Sequence, residues 1–300
     1  MSKENTSKTK TRITLIGKFN KLHDEEYIAR SFEMIDCEVQ RIPEKALTHQ
    51  ITGIIKEFNP DFVLATKMFI TEPDKVLSFL KENNIKSVSW NFDLYWGYPR
   101  QERIFRTPGF KCDYVFTTDN GHQKEWESIG INHQCIRQGI YKPECVLVEG
   151  KPEGVAFIGS FNSLYPYRQE MLRRVEKQFG LKWYGKDDTN ELRGLELNNV
   201  FANTKVIVGD SVYSPNYWSN RVVETLGRGG FLIHQEVEGV KEEYPYLVTY
   251  KKGDLDDLCE KIKYYLEHEE ERLEIVKKNF EWVRDNYTMD KKCKQLINNL

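Results

Sequence analysis

The 300-residue sequence has no run approaching about 18 uninterrupted apolar residues, so no membrane-spanning helix is expected. Its cysteines are equally uninformative as ligands. Cys37, Cys112, Cys135, Cys145, Cys259 and Cys293 form no CxxC pair and have no histidine at zinc-ligand spacing. Neither a metal finger nor a disulfide scaffold follows, and they read as reduced thiols. Charge of one sign is also lacking. Lys and Arg number 44 against 46 Asp and Glu, and the net −2 offers no general attraction to nucleic acid or anionic membrane. The opening MSKENTSKTKTR is polar and lysine-rich with no apolar signal region, so a flexible tail over 1–12 and a cytoplasmic location are expected. No cluster of His, Asp and Glu has ligand spacing. Asp254-Leu255-Asp256 follows Gly253 and opens an amphipathic run, so it reads as a helix cap with acids in the first turn.

What is present is globular in kind. Hydrophobic residues make up 39% and charged residues 30%, which is too apolar for a disordered chain. The length suits two domains of roughly 150 residues. Short apolar runs alternate with helical patterns: strands are expected at ITLIG (13–17), DFVLAT (61–66), KSVSWNF (86–92) and DYVFTTD (113–119), with helical segments between most of them. YKPECVLVEGKPEG (141–154) breaks the rhythm and reads as a linker. The alternation restarts at GVAFIGS (154–160) and continues through LKWYG (181–185), TKVIVGD (204–210) and GFLIHQ (230–235) to closing helices. The expectation is an α/β protein with Rossmann-like domains over 13–148 and 149–282, and a C-terminal helix over 283–300 packing back on the first. Loops after strands are then the place to look for chemistry.

The segment 206–244, VIVGDSVYSPNYWSNRVVETLGRGGFLIHQEVEGVKEEY, is the most informative. A helix beginning near Ser219 and Asn220, after Tyr217, would aim free backbone N–H groups at an anion. Arg221 adds a cationic fork suited to phosphate oxygens. Glu224, one helical turn on, offers a carboxylate for ribose hydroxyls. The bland alternative is an Asn N-cap with an Arg–Glu surface pair. Gly159 and Ser160 end a strand before the loop SFNSLYPYR, which could wrap phosphates with Arg168 as a second cation. Tyr184 and Gly185 end the next strand and stand where a base could be bordered.

This stretch resembles the donor-binding region of GT-B glycosyltransferases, and in particular the CgeB-like, glycosyltransferase family 1-like group, in its SNR-x-x-E-x-x-x-x-G-G pattern. VAFIGS with Arg168, LKWYG and the closing helices are similar to the same family. The resemblance implies two Rossmann-like domains facing across a cleft, a nucleotide-sugar donor in the C-terminal one, and sugar transfer without a cofactor or required metal. It leaves the acceptor open among protein, glycan, small molecule and modified DNA, and the oligomeric state unstated. Asn216 stands where the large retaining families carry a second glutamate, so stereochemical outcome does not carry over. Gly17 lies where the N-terminal domain of such enzymes approaches the donor. The catalytic base is sought among Asp93, flanked by Trp90, Tyr95 and Trp96 and expected to titrate high through partial burial, and His122, with Asp119 in TTDNGH. A non-catalytic nucleotide-sugar-binding or spore/surface assembly protein of the same fold, or a nucleotide-sugar epimerase, remain competing functions.

Overall fold

In a computed structural model of the chain, residues 10–97, 100–160, 165, 167–185, 192–212 and 214–300 are described. The expected tail up to residue 9 and most of the loop 160–168 lie outside them.

The chain divides into two units. The first comprises residues up to Thr117, Gln123–Ile136 and Cys293–Leu300. Its elements are β1 (Arg12–Gly17), α1 (Asp24–Met34), β2 (Glu38–Pro43), α2 (Thr48–Phe58), β3 (Phe62–Ala65), α3 (Pro73–Glu82), β4 (Lys86–Asn91), β5 (Tyr114–Thr117), α4 (Gln123–Ser128) and β6 (His133–Cys135). All strands pair in parallel, in the order β2-β1-β3-β4-β5-β6. The apolar run of β3 explains the arrangement: all four of its residues are buried, as a strand covered by helices on both faces must be. Pro73 opens α3 where its missing N–H costs nothing, and Asn59 closes α2 in the left-handed region.

The second unit comprises Thr118–His122 and Arg137–Lys292. It holds β7 (Val155–Ile158), α5 (Arg168–Phe179), β8 (Lys182–Tyr184), α6 (Leu195–Ala202), β9 (Val206–Gly209), α7 (Arg221–Gly227), β10 (Leu232–Gln235), α8 (Val240–Glu243), β11 (Val248–Tyr250), α9 (Leu255–Glu267), α10 (Glu269–Asn286) and the start of α11 (Met289–Asn298). The strands are again parallel, in the order β11-β10-β9-β7-β8. The chain runs outward from β7 to β8, then returns to the other side of β7 as β9. That reversal makes β7/β9 the switch point of the sheet, where the loops after the two strands separate and leave a crevice.

The break falls earlier than the composition of 141–154 suggests. Ile140 N donates to Tyr287 O at 3.0 Å and Met289 N to Ile140 O at 2.8 Å, so the chain is bound to α10 and α11 of the second unit soon after Ile136. The last residues belong to the first unit, where Cys293 and Leu296 are fully buried. Asp254 caps α9 as expected: its Oδ1 accepts from Asp257 N at 2.9 Å. Asp256 turns instead to Arg174, 2.5 Å away, so the two carboxylates do not converge. No described helix is long and apolar enough to cross a membrane.

Candidate functional site

The switch point of the second unit is filled by two arginines on one aspartate. Arg221 leaves the start of α7 and spans the crevice, donating through Nε to Ile158 O at the end of β7 (2.8 Å) and through Nη1 to Asp210 O beyond β9 (2.7 Å). Arg168, at the start of α5, places Nε 3.0 Å from both carboxylate oxygens of Asp210 and donates through Nη1 to Ser160 O at 2.8 Å. The Arg221 Nη1 also lies 3.4 Å from Asp210 Oδ1. Both guanidinium groups lie over Phe157, at 4.7 Å for Arg221 and 5.2 Å for Arg168, and Tyr165 stacks on Arg168 at 3.5 Å. Burial lowers the pKa of Arg221, but an arginine remains protonated. The cluster therefore carries one net positive charge at the C-terminal ends of β7 and β9. Asp210 was not among the expected site residues, although it closes TKVIVGD directly after a strand.

Gly159 is required by this packing. At φ 147° a Cβ would stand 2.6 Å from Arg221 Nη2, so any side chain would displace the guanidinium. Gly159 N donates to Tyr184 O at 2.9 Å and Gly159 O accepts from Trp183 Nε1 at 2.8 Å, while a Cβ at Gly185 would lie 3.5 Å from Gly159 C. Gly159, Ser160, Tyr184, Gly185, Arg168 and Arg221 are thus brought together.

The start of α7 departs from expectation. Asn220 stands at the N-cap without a side-chain cap bond; its amide Nδ2 reaches Gln138 Oε1 at 3.2 Å. The Ser219 amide does not face outward either, because it donates to Ser211 Oγ at 2.9 Å. Ser211 Oγ lies 3.1 Å from His234 Nε2, and His234 Nδ1 donates to Gln235 O at 2.7 Å. The Nδ1–H tautomer leaves Nε2 to accept from the serine hydroxyl, which then accepts from Ser219. Burial pushes His234 down to about 4, so this chain is neutral. Tyr217 is buried in the loop, bridged to Ser214.

Glu224 pairs with Arg228 rather than Arg221. Arg228 Nε and Nη2 lie 3.0 and 2.9 Å from Glu224 Oε2, and Arg228 also pairs with Glu144. The surface pair of the bland reading does not form.

The two candidate bases differ sharply. Asp93 is held by Lys67 Nζ at 2.6 Å and Arg100 Nη1 at 3.1 Å. Burial raises its pKa, yet the two cations outweigh that and hold it below the ordinary carboxylate value. The expectation of a raised pKa is overturned, and the two cations make Asp93 a weaker proton acceptor than expected. Trp90, Tyr95 and Trp96 do not offer their faces to a ligand; all three are buried, the last two packed with Phe110 and Trp126. Gly17 lies against Glu25 of α1, whose Cγ a Cβ would meet at 2.5 Å, so close packing explains it. His122 Nδ1 lies 3.0 Å from Oδ1 of fully buried Asp119, which also accepts from Gly121 N at 3.0 Å. This loop belongs to the second unit. Gly121 abuts Pro215 O, and Arg137 binds both Thr118 O and, at 2.7 Å, Asn216 O. Among the described residues no group of three or more His, Cys, Asp and Glu is placed to hold a metal ion.

The fold is the GT-B architecture of two parallel-sheet α/β units. Residues 168–298 match a family described as glycosyl transferase-like. No curated protein matches. Solved structures that resemble the chain include sucrose-phosphate synthase from Thermosynechococcus elongatus, with TM-score 0.63, 10% identity and coverage of 97% of this chain and 98% of that one. T4 phage BGT in complex with its UDP-glucose substrate gives TM-score 0.63, 10% identity and coverage of 96% and 99%. Anabaena HepE in complex with UDP-glucose gives TM-score 0.62, 9% identity and coverage of 96% and 100%.

Proposed function

We propose that the chain transfers a sugar from a nucleoside-diphosphate sugar to an acceptor hydroxyl, in the cytoplasm, without a required metal or cofactor. The observation that carries this reading is the pair Arg168 and Arg221 on Asp210 at the β7/β9 switch point. Its net positive charge sits at the end of a parallel sheet, where ligands of such folds bind. Cationic forks there would stabilise the diphosphate as it leaves, the role a metal takes elsewhere. Glu224 is assigned to the ribose, and Tyr184 with Gly185 to the border of the base. The match over 168–298 and the two neighbours solved with UDP-glucose support the donor class. The SNR-x-x-E pattern supports the CgeB-like group.

His122 is the better base. A carboxylate at Nδ1 fixes the Nδ1–H tautomer and stabilises the imidazolium that forms when the acceptor proton is taken. The acceptor oxygen bonds to the anomeric carbon as the bond from that carbon to the phosphate oxygen breaks. The nucleoside diphosphate departs and the hydroxyl proton passes to His122. Incubating the protein with UDP-, GDP-, ADP- and CDP-sugars and following nucleoside diphosphate release by mass tests the reading. No release with any donor, in the presence of a broad acceptor mixture, would refute it.

A further inference from the structure

The order β2-β1-β3 gives the first sheet a switch point of its own. From β1 the chain passes to β2 on one side and then to β3 on the other, so the loops after β1 and β3 part and leave a crevice. A carboxylate is built into it. Glu25, in the first turn of α1, is half-buried and lays its stem over Gly17, the last residue of β1, where a Cβ would stand 2.5 Å from Glu25 Cγ. Thr66, directly after β3, donates through Oγ1 to Glu25 Oε1 at 2.8 Å. Among the described residues Glu25 Oε2 has no partner, and no cation pairs with the group. The two flanking loops are strained: Leu22 and Met68 stand in the left-handed region at φ 75° and 54°, which residues with a side chain rarely adopt and which collects at ligand sites.

The chemistry of the crevice limits what it can take. Lys67 Nζ and Arg100 Nη1 lie 2.6 and 3.1 Å from Asp93, so Glu25 and Asp93 together offset the two cations and no net charge remains. An oxyanion therefore gains nothing there and meets an open carboxylate oxygen. A carboxylate only accepts hydrogen bonds, and neighbouring hydroxyls of a sugar offer it donors without charge. We propose that this crevice binds a neutral saccharide through Glu25, oriented by Thr66, and that this saccharide is the acceptor. The acceptor role rests on the transfer reaction proposed above, whereas the site is defined by the first unit alone.

The test is saccharide binding with and without the carboxylate. Binding of glucose, galactose, mannose, N-acetylglucosamine and their disaccharides is followed by ligand-observed NMR on the full chain, with the phosphate ester of each monosaccharide alongside. At least one neutral sugar should bind, and more tightly than its phosphate ester. Glu25→Gln, nearly isosteric, should weaken that sugar roughly tenfold or more, since hydrogen bonds to a charged acceptor are lost, while nucleoside diphosphates bind as in the wild type. Gly17→Ala keeps the carboxylate but pushes its stem aside, and should weaken the sugar similarly, which supplies the reading if Glu25→Gln does not fold. Tighter binding of the phosphate ester, binding of no neutral sugar, or an unchanged affinity in the variant overturns the proposal. A parallel loss of sugar and diphosphate binding does so too, because it marks general loosening. Failure of the transfer reading looks different: sugar binding that depends on Glu25, with no nucleoside diphosphate released from any donor, keeps the site and removes the acceptor role. Release whose acceptor KM is unchanged in Glu25→Gln keeps the reaction and refutes the site.

Discussion

Asp93 and His122 are both polar residues placed after strands of apolar sequence, and their neighbours separate them. Lys67 and Arg100 are 26 and 7 positions from Asp93 in the chain. No local pattern announces that pair, and it holds the Asp93 carboxylate between two cations that weaken its hold on a proton. Asp93→Asn is accordingly expected to keep turnover within a few-fold. His122→Ala should lower kcat by roughly a hundredfold or more with donor affinity retained, because a base acts only as the acceptor proton moves. Steady-state kinetics on both variants decides it, and a kcat collapse in Asp93→Asn with a normal His122→Ala reverses the assignment. Asp119→Asn should resemble His122→Ala, since an amide that donates to Nδ1 imposes the wrong tautomer. At this scale the sequence shows residue type and strand-end position. It does not show partners: Asp210 and Arg228 act across 42 and 84 residues of chain, through Arg168 and Glu144.

The elements were more legible than their junctions. Strands of β-branched and aromatic residues bounded by glycine and polar turns fold where their patterns predict, since a parallel sheet needs continuous apolar runs and helices with one apolar face. At the start of α7 the Ser219 amide is held by Ser211, which His234 meets in turn, contacts that no local pattern announces. Two strands, one in each unit, carry buried neutral histidines with the same wiring. His234 in β10 is described above; His133 in β6 donates through Nδ1 to Gln123 Oε1 and takes Thr117 Oγ1 at Nε2, each at 2.8 Å. Burial pushes both down to about 4. In the unfolded chain each binds a proton near pH 6.5. Between pH 6.5 and about 4 the unfolded state therefore holds more protons than the folded one, so stability rises with pH there. Lowering the pH from 7.5 to 5.0 should cost roughly 2 kcal/mol for each histidine, with Arg221 and Asp210 the charged groups facing His234. Denaturant titrations at the two pH values check this, and His133→Gln should flatten the difference. An unchanged difference in that variant would remove His133 from the account.

At the scale of the whole molecule, every residue proposed to hold the donor, and the His122–Asp119 pair, belongs to the second unit, which also contains most of the matched segment 168–298. The sequence patterns of the first unit give little beyond its sheet. The family resemblance is legible over the second unit, where the matched segment 168–298 mostly lies, and faint over the first. The charge of the Arg168–Arg221–Asp210 cluster then makes a prediction about the full chain. A nucleoside diphosphate at about 100 times its Kd should add about 2.7 kcal/mol to stability and raise Tm accordingly. Asp210→Asn should not behave as a simple gain of positive charge. Without the carboxylate, Arg168 and Arg221 lose the anchor that holds two like charges together, so their forks diverge. Diphosphate affinity should fall by roughly tenfold or more even though the site is more cationic. Turnover should survive excess EDTA, since in the proposed reaction two fixed guanidinium groups would take the charge of the leaving diphosphate. Thermal shift with the diphosphate, then turnover with and without chelator, reads both. Activity that disappears in EDTA and returns with magnesium or manganese would assign the leaving-group charge to a metal instead, and tighter diphosphate binding in Asp210→Asn would show that the carboxylate opposes the ligand rather than arranging the arginines around it.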